Sequence, residues 1–166
     1  MKKISLVFVS LLIVSMIVFG CKKNTDSPDT GGNGGNEPTP VTKVSYKIDT
    51  AQGTYPALDC FKYHIVYYVG ENDSVVVDDA TAPWVSEKFE VTKPFKAKFN
   101  GYVTYNLDDI PDDTPFSISY KLYIYENDYA AWTSGKKNDF VSKANFIEYI
   151  STHPTALIFR GIHNVE

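Results

Sequence analysis

Six aspartates, gathered in two short stretches of the sequence, have the side-chain chemistry that suits binding of a cation. They are Asp78, Asp79, Asp108, Asp109, Asp112 and Asp113. Hard carboxylate oxygens can hold Ca²⁺, which takes about six to eight oxygen ligands. Aspartate is also an ordinary turn residue, and acidic turns are commonly only solvated. The sequence therefore allows a calcium site without requiring one, and it indicates no other cofactor.

Aromatic side chains offer a second kind of candidate site. The candidates are Trp84, Tyr102, Tyr123, Tyr125 and Trp132. The three tyrosines fall at outward positions of predicted strands, where their rings could stack on sugar rings. Alternatively, a C-terminal helix covers this face, because the apolar stripe of that helix needs a partner. The covering helix is the interpretation that we favour from the sequence.

Catalytic arrangements are not recognisable in the sequence. His64, His153 and His163 lack the spacing of metal ligands, and neither a nucleophile with an adjacent base nor a glycine-rich phosphate loop stands out. We interpret the histidines as ordinary solvated or hydrogen-bonded residues and predict that the protein is not an enzyme.

The N-terminal residues carry the parts of a secretory signal. Lys2 and Lys3 supply its positive region, and residues 4–19 form an apolar run. As a helix, that run would span about 24 Å, less than the ~30 Å hydrocarbon core of a bilayer. The run can therefore engage the translocon, but it is a poor permanent anchor.

The tetrapeptide Val-Phe-Gly-Cys at residues 18–21 resembles the lipobox of bacterial lipoproteins. The resemblance implies lipid on Cys21, removal of residues 1–20 and a membrane as partner, since two or three acyl chains anchor a protein stably. Lys22 is not the aspartate that retains many lipoproteins in the inner membrane, which implies the outer membrane. The residues after Cys21 loosely resemble a surface-export signal of Bacteroidota lipoproteins. The cell surface is therefore the favoured location, and the periplasmic side is the alternative.

Charge and composition limit the class of partner. The chain has 16 basic and 20 acidic side chains, and loss of residues 1–20 removes two of the lysines and none of the acids. Nucleic acid is therefore excluded as a partner, because binding to phosphates needs a basic face. Cys60 would be the single remaining thiol, so an intrachain disulfide is also excluded.

The sequence divides into a signal peptide (1–20), a lipidated cysteine with a flexible linker rich in glycine and proline (21–41), and one domain (42–166). Alternation of apolar and polar residues dominates the domain and is clearest over 95–107. Short connections favour antiparallel neighbours. We predict an immunoglobulin-like antiparallel β-sandwich of about seven strands.

The end of the sequence has a different pattern. Apolar residues from Phe140 to Ile150 recur at helical spacing, with Asp139 placed to cap, and they predict a short C-terminal helix. A last strand is predicted over 155–159. Because antiparallel strands reverse direction, every second loop lies at the same pole, and this parity gathers the six aspartates opposite the linker.

Short motifs of the domain also carry a resemblance. They are Val44-Ser45-Tyr46, Val66-Tyr67-Tyr68, and Ala82-Pro83-Trp84 followed by Lys88-Phe89-Glu90-Val91. Together they resemble the MmpS-type immunoglobulin-like sandwich over residues 42–132, although the usual cysteine pair of that family is missing here. Its members are membrane-anchored accessory proteins of envelope transporters. The resemblance implies a non-catalytic module that binds an envelope protein. The alternative is a surface lipoprotein that binds carbohydrate.

Cys21→Ser is expected to release the protein from the membrane, because no other segment of the sequence is long and apolar enough to hold it. Cell fractionation with palmitate labelling measures the outcome, and Cys60→Ser is the control. A Cys21→Ser protein that stays in the membrane and takes up label would contradict the lipid assignment.

Overall fold

The computed structural model describes residues 41–166. The predicted signal peptide, Cys21 and the linker up to residue 40 lie outside the described residues. Within the described part of the chain, no helix has the length and apolar character needed to cross a membrane.

Nine strands and one α-helix make up most of the described residues. They are β1 (Thr42–Thr50), β2 (Lys62–Tyr68), β3 (Ser74–Ala80), β4 (Trp84–Val85), β5 (Phe89–Val91), β6 (Phe95–Thr104), β7 (Phe116–Glu126), β8 (Tyr129–Phe140), α1 (Lys143–Thr152) and β9 (Ile158–Val165). A 3-10 turn, Leu107–Asp109, lies between β6 and β7.

The strands form two antiparallel sheets. Sheet A has the order β4-β1-β7-β8, with β5 also paired to β1, and sheet B has the order β3-β2-β6-β9. The inner faces of the two sheets bury one core that is rich in aromatic rings. The predicted antiparallel β-sandwich with a short C-terminal helix is thus confirmed.

Alternation gives the inner face of most strands correctly. Ala97, Phe99 and Val103 of β6 are buried as the pattern predicts, and so are Ile118 and Leu122 of β7. Burial of apolar area of this kind is the main favourable contribution to folding. The inner side chains of β6 and β7 therefore hold the two sheets together.

The strand count differs from the prediction chiefly because of β8. Its inward positions include Ser134, Lys136 and Asn138, which pair in register with inward residues of β7. These polar side chains remove the alternation that would have indicated a strand. A polar inner row is tolerated here because β8 is an edge strand of sheet A.

The helix begins three residues beyond the start of the predicted apolar pattern. Phe140 belongs to β8, and the N-cap of α1 is Ser142, whose Oγ accepts a hydrogen bond from the Asn145 N–H at 3.3 Å. The prediction that Asp139 caps this helix is therefore wrong. The last strand, β9, likewise begins later and runs longer than predicted.

Helix α1 closes one end of the sandwich. We call the end where β1 begins the near pole and the end where β1 finishes the far pole. Phe146 of α1 is fully buried at the far pole, where its ring packs 5.8 Å from Phe61, 5.8 Å from Phe116 and 5.2 Å from Phe140. The prediction that this helix covers the outward tyrosines is therefore wrong. Phe146 is the one residue of α1 that is buried. The helix therefore packs through a single side chain at one end of the sandwich and does not need a whole sheet face.

Phe146→Ala is expected to lower the free energy of unfolding by about 3–5 kcal/mol, because it leaves a cavity among aromatic rings. Ile147→Ala is the matched control, since Ile147 lies next to it on the same helix and is 41% exposed. Urea denaturation of both variants gives the comparison. Equal losses in the two variants would contradict the role of Phe146 as the anchor of α1.

Candidate functional site

The predicted acidic residues gather at the far pole. Asp78 and Asp79 lie near the end of β3, and the other four follow β6, so strand parity places them correctly. Asp79 and Asp109 also line one open depression there. Across residues 41–166, however, no three His, Cys, Asp or Glu side chains approach closely enough to hold a metal ion. The aspartates therefore share a pole without forming a ligand set for Ca²⁺.

Two of these carboxylates have partners of their own. Asp78 lies 2.5 Å from the Nδ1 atom of His64, and Asp112 forms an ion pair with Lys143 at 3.2 Å. Each partner draws its carboxylate toward a different element, β2 in the first case and α1 in the second. This division is one physical reason why the aspartates do not converge.

The two predicted tryptophans lie between the sheets rather than on the surface. Trp84 of β4 pairs in register with the buried Ile48, and its ring lies 5.6 Å from that of Tyr67. Trp132 of β8 reaches across to β9, where its indole lies over Gly161. A Cβ atom at residue 161 would come within 2.7 Å of that indole, so a larger residue there would displace the ring. Each tryptophan thus closes one lateral edge of the sandwich.

The three predicted tyrosines lie on opposite faces of the molecule. Tyr123 and Tyr125 stand on the outer face of sheet A with ring centroids 5.7 Å apart. Lys47 Nζ lies 5.7 Å from the ring centroid of Tyr123. Tyr102 stands on the outer face of sheet B. The structure therefore brings Tyr123 and Tyr125 together and separates both from Tyr102.

The predicted candidate Tyr102 and its neighbours lie on the outer face of sheet B, and we call this surface the open face. Its outward side chains are Ser74, Val76, Asp78, Lys62, His64, Val66, Tyr68, Lys96, Lys98, Asn100, Tyr102, Thr104, Ile158, Arg160, Ile162 and Asn164. Val76, Tyr102 and Ile158 are exposed by 54%, 44% and 55%. No other element of residues 41–166 covers these three side chains.

The most ordered part of the open face is a row of side chains across its strands. Tyr102 pairs in register with His64 on one side and with Ile158 on the other. The imidazole ring of His64 lies against the Tyr102 ring, with centroids 4.7 Å apart and an angle of 22° between the planes. The Asp78 carboxylate forms a hydrogen bond with Nδ1 of the same imidazole. Within the described residues, His64 hydrogen-bonds to Asp78 and to no serine or cysteine.

Sequence reasoning missed a second carboxylate network, which is centred on Asp139. Its carboxylate accepts hydrogen bonds from Ser117 Oγ at 2.5 Å, from Thr54 Oγ1 at 2.5 Å and from the Thr54 N–H at 3.0 Å. Ser117 Oγ in turn accepts from the N–H of Tyr55 at 2.9 Å. The network ties the loop after β1 to β7 and β8. Because it uses the Ser117 hydroxyl for structure and contains no histidine, it does not resemble a catalytic triad.

The hydrogen bonds that Asp139 accepts also fix its charge. They come first from Ser117 and then from Thr54, and they hold the pKa of the Asp139 carboxyl far below its ordinary value. A distant pairing of this kind, 85 residues apart along the chain in the case of Thr54, leaves no local pattern in the sequence. The local pattern of the sequence therefore indicates only the nearby helix as the partner of Asp139.

Comparison with known proteins does not add to this assignment, since no family model and no curated protein matches the sequence. The resemblances to the lipobox and to the MmpS-type sandwich therefore stay predictions.

Asp139→Asn is expected to lower the melting temperature at pH 7. The pKa of the Asp139 carboxyl is lower in the folded chain than its ordinary value of 3.8, so its stabilisation is present above that pH and is lost as the pH falls. The gap in melting temperature between wild type and variant should therefore narrow below about pH 4. Asp113→Asn, at an exposed aspartate, is the control. A gap that is unchanged by pH would contradict the assignment.

Proposed function

We propose that this protein is an exported lipoprotein, anchored to a membrane, that acts as a non-catalytic binding module of the cell envelope. In this proposal the open face is the surface that meets the partner. The predicted lipid on Cys21 and the predicted outer-membrane location belong to the same proposal. The MmpS-type resemblance supports the accessory role.

The proposal rests on the large apolar side chains that are exposed on the open face. Exposure of such side chains does not stabilise a monomer. Tyr102 and Ile158 are neighbours in register, and Val76 lies two strands away on the same face. Apolar side chains that are exposed together on one face are candidates for a binding surface. The polar side chains among them, such as Asn100 and Arg160, are of the kind found at interfaces that form and dissociate.

The chemistry of the described residues supports a binding role over a catalytic one. The His64–Asp78 pair lies on the open face of a sheet rather than in an enclosed cleft, and it has no hydroxyl or thiol partner in residues 41–166. The Ser117 hydroxyl is buried beneath the loop after β1. Neither group has the geometry of an activated nucleophile.

Binding of carbohydrate is the second candidate, and it rests on a different surface. Tyr123 and Tyr125 form an aromatic pair on sheet A, with Lys47 and Asp49 beside them in the next strand. Paired rings with polar neighbours are a common arrangement for stacking on sugars. The two candidates therefore make different predictions about which face of the sandwich meets its partner.

A photo-crosslinking amino acid placed at residue 100 is expected to give a discrete protein adduct in living cells, because Asn100 lies near the centre of the open face. The same amino acid at residue 133, which pairs in register with Tyr123 on sheet A, is the matched control and should give none. Adducts are measured by immunoblotting and mass spectrometry.

Two other outcomes of this crosslinking experiment would count against the proposal. A polysaccharide adduct from residue 133 alone would favour the carbohydrate alternative. The absence of an adduct from either position would contradict a binding role for both faces.

A further inference from the structure

Strand β3 forms one edge of sheet B, and its free side has no strand partner within residues 41–166. In the turn before it, the Val69 N–H donates a 3.0 Å hydrogen bond to the Asp73 carbonyl. Because hydrogen-bonded and non-hydrogen-bonded pairs alternate along an antiparallel ladder, Val75 and Val77 direct their backbone groups toward β2. The residues of β3 whose backbone N–H and C=O groups point to the free side are therefore Ser74, Val76 and Asp78.

The side chains of β3 leave this edge open to pairing. Its middle is a run of three valines, Val75–Val77, and β-branched residues of this kind favour strands. Val76 points outward and is 54% exposed, whereas Val75 and Val77 face the core and remain half-buried. A second strand added at this edge would therefore bury apolar side chains on both faces of the sheet.

The other edges of the two sheets carry features that hinder edge-to-edge pairing, such as short strands, inward charges, bulges and covering side chains. On one side of sheet A, β4 and β5 are only two and three residues long. On the other side, β8 directs Lys136 inward, and its register to β7 shifts between Trp132 and Ala130. In β9, the Trp132 indole lies over Gly161. Among the edges formed by residues 41–166, β3 is thus the one best suited to receive a strand.

The order of residues along β3 is complementary to a second copy of the same strand. When two copies pair antiparallel about Val76, the two Val76 side chains lie next to each other on the outer face. In the same register, Val75 lies opposite Val77 of the other copy on the inner face, and Ser74 lies opposite Asp78 on the outer face. The Ser74 hydroxyl can then donate to Oδ2 of Asp78, because only Oδ1 of that carboxylate has a partner within residues 41–166. Each side chain therefore meets one of matching chemistry.

We propose that two copies of this protein associate edge to edge through β3, antiparallel and centred on Val76. The two copies of sheet B, each of four strands, then form one continuous sheet. About six backbone hydrogen bonds form, between the edge-facing groups of residues 74, 76 and 78 in the two copies. The pairing ends at Asp79, whose φ of 54° lies where the register of β3 to β2 shifts, so the interface is small and the association reversible.

This dimer is independent of the proposed function. The edge lies two strands away from Asn100 of β6, so the dimer leaves the centre of the open face uncovered. It places the open faces of the two copies side by side.

A thiol at residue 76 tests the register in the full-length chain in cell membranes. Val76→Cys, made together with Cys60→Ser, places two thiols on Cα atoms about 5.5 Å apart, within the range of a disulfide. Oxidation is therefore expected to give a disulfide-linked dimer of this chain, which non-reducing gels and mass spectrometry measure. Val85→Cys in the same background is the matched control, because Val85 is 59% exposed and lies on the edge strand β4. It should give less than about a fifth as much dimer.

Two substitutions of Val76 test the backbone pairing. Val76→Pro removes an N–H that points to the free side, so β3 keeps its pairing with β2 while each copy loses its central donor. Sedimentation equilibrium of the purified full chain in a density-matched detergent is expected to show a dimer dissociation constant at least about tenfold higher. Val76→Thr is the control, because it keeps the N–H and the branched shape, and it should change the constant by less than about threefold.

Val76→Lys disrupts the dimer in a different way, since it leaves the backbone unchanged and places two lysines opposite each other. It should weaken the dimer as Val76→Pro does, and it keeps the test decisive if melting curves show that the proline variant does not fold. Equal dimer yields from Val76→Cys and Val85→Cys, or a wild-type chain that stays monomeric at about 1 mM, would overturn the inference. An unchanged dissociation constant in Val76→Lys would do the same. A disulfide from Val76→Cys to a different protein would overturn the choice of a second copy.

Discussion

Tyr46 extends from the centre of sheet A into the middle of the sandwich, where it contacts residues of both sheets. Its ring packs 5.2 Å from Tyr67 and 5.3 Å from Phe99 of sheet B, and its hydroxyl donates a 2.7 Å hydrogen bond to the Tyr68 carbonyl. Burial raises the pKa of this phenol, so it stays neutral and can donate. The contact fixes the position of sheet A relative to sheet B. The outward side chains of β2, which include His64, depend on that relation.

The two outer faces of the sandwich differ because a loop covers part of one of them. On sheet A, the loop after β1 lies over the start of β7, where Gly53 approaches Ser117 so closely that a Cβ atom would lie 2.2 Å from its side chain. Asp139 holds that loop in place. On sheet B no comparable loop crosses the strands, so its outward residues remain available in the described chain. One carboxylate and one glycine thus keep this loop over the start of β7.

The sequence contained enough information for the class of fold and for the strands with regular alternation, such as β6 and β7. It failed at β8, where Lys136 and Asn138 occupy inward positions. Lys136 Nζ donates to the Ala156 carbonyl at 2.5 Å, and Asn138 Oδ1 faces the hydroxyl of Tyr149. Such partners are close in space but lie 20 and 11 residues away along the chain, so alternation cannot indicate them.

The sequence predicted only part of the candidate site, and the reason is similar. Strand parity correctly placed the aspartates at one pole and Tyr102 on an outward position. Strand parity does not reveal which residues lie at the lateral edge of a sandwich. At such an edge, a side chain can close the gap between the two sheets. Trp84 and Trp132 are such residues.

Those two tryptophans give the molecule an optical property of its own. The full sequence contains two tryptophans, and the structure places one at each lateral edge of the sandwich. Trp84 reports the packing between β4 and the rings of Tyr67 and Phe99, and Trp132 reports the packing between β8 and β9. Replacing one tryptophan at a time therefore separates the fluorescence of one edge from that of the other. The protein can show, without an added label, which edge loosens first when the sheets part.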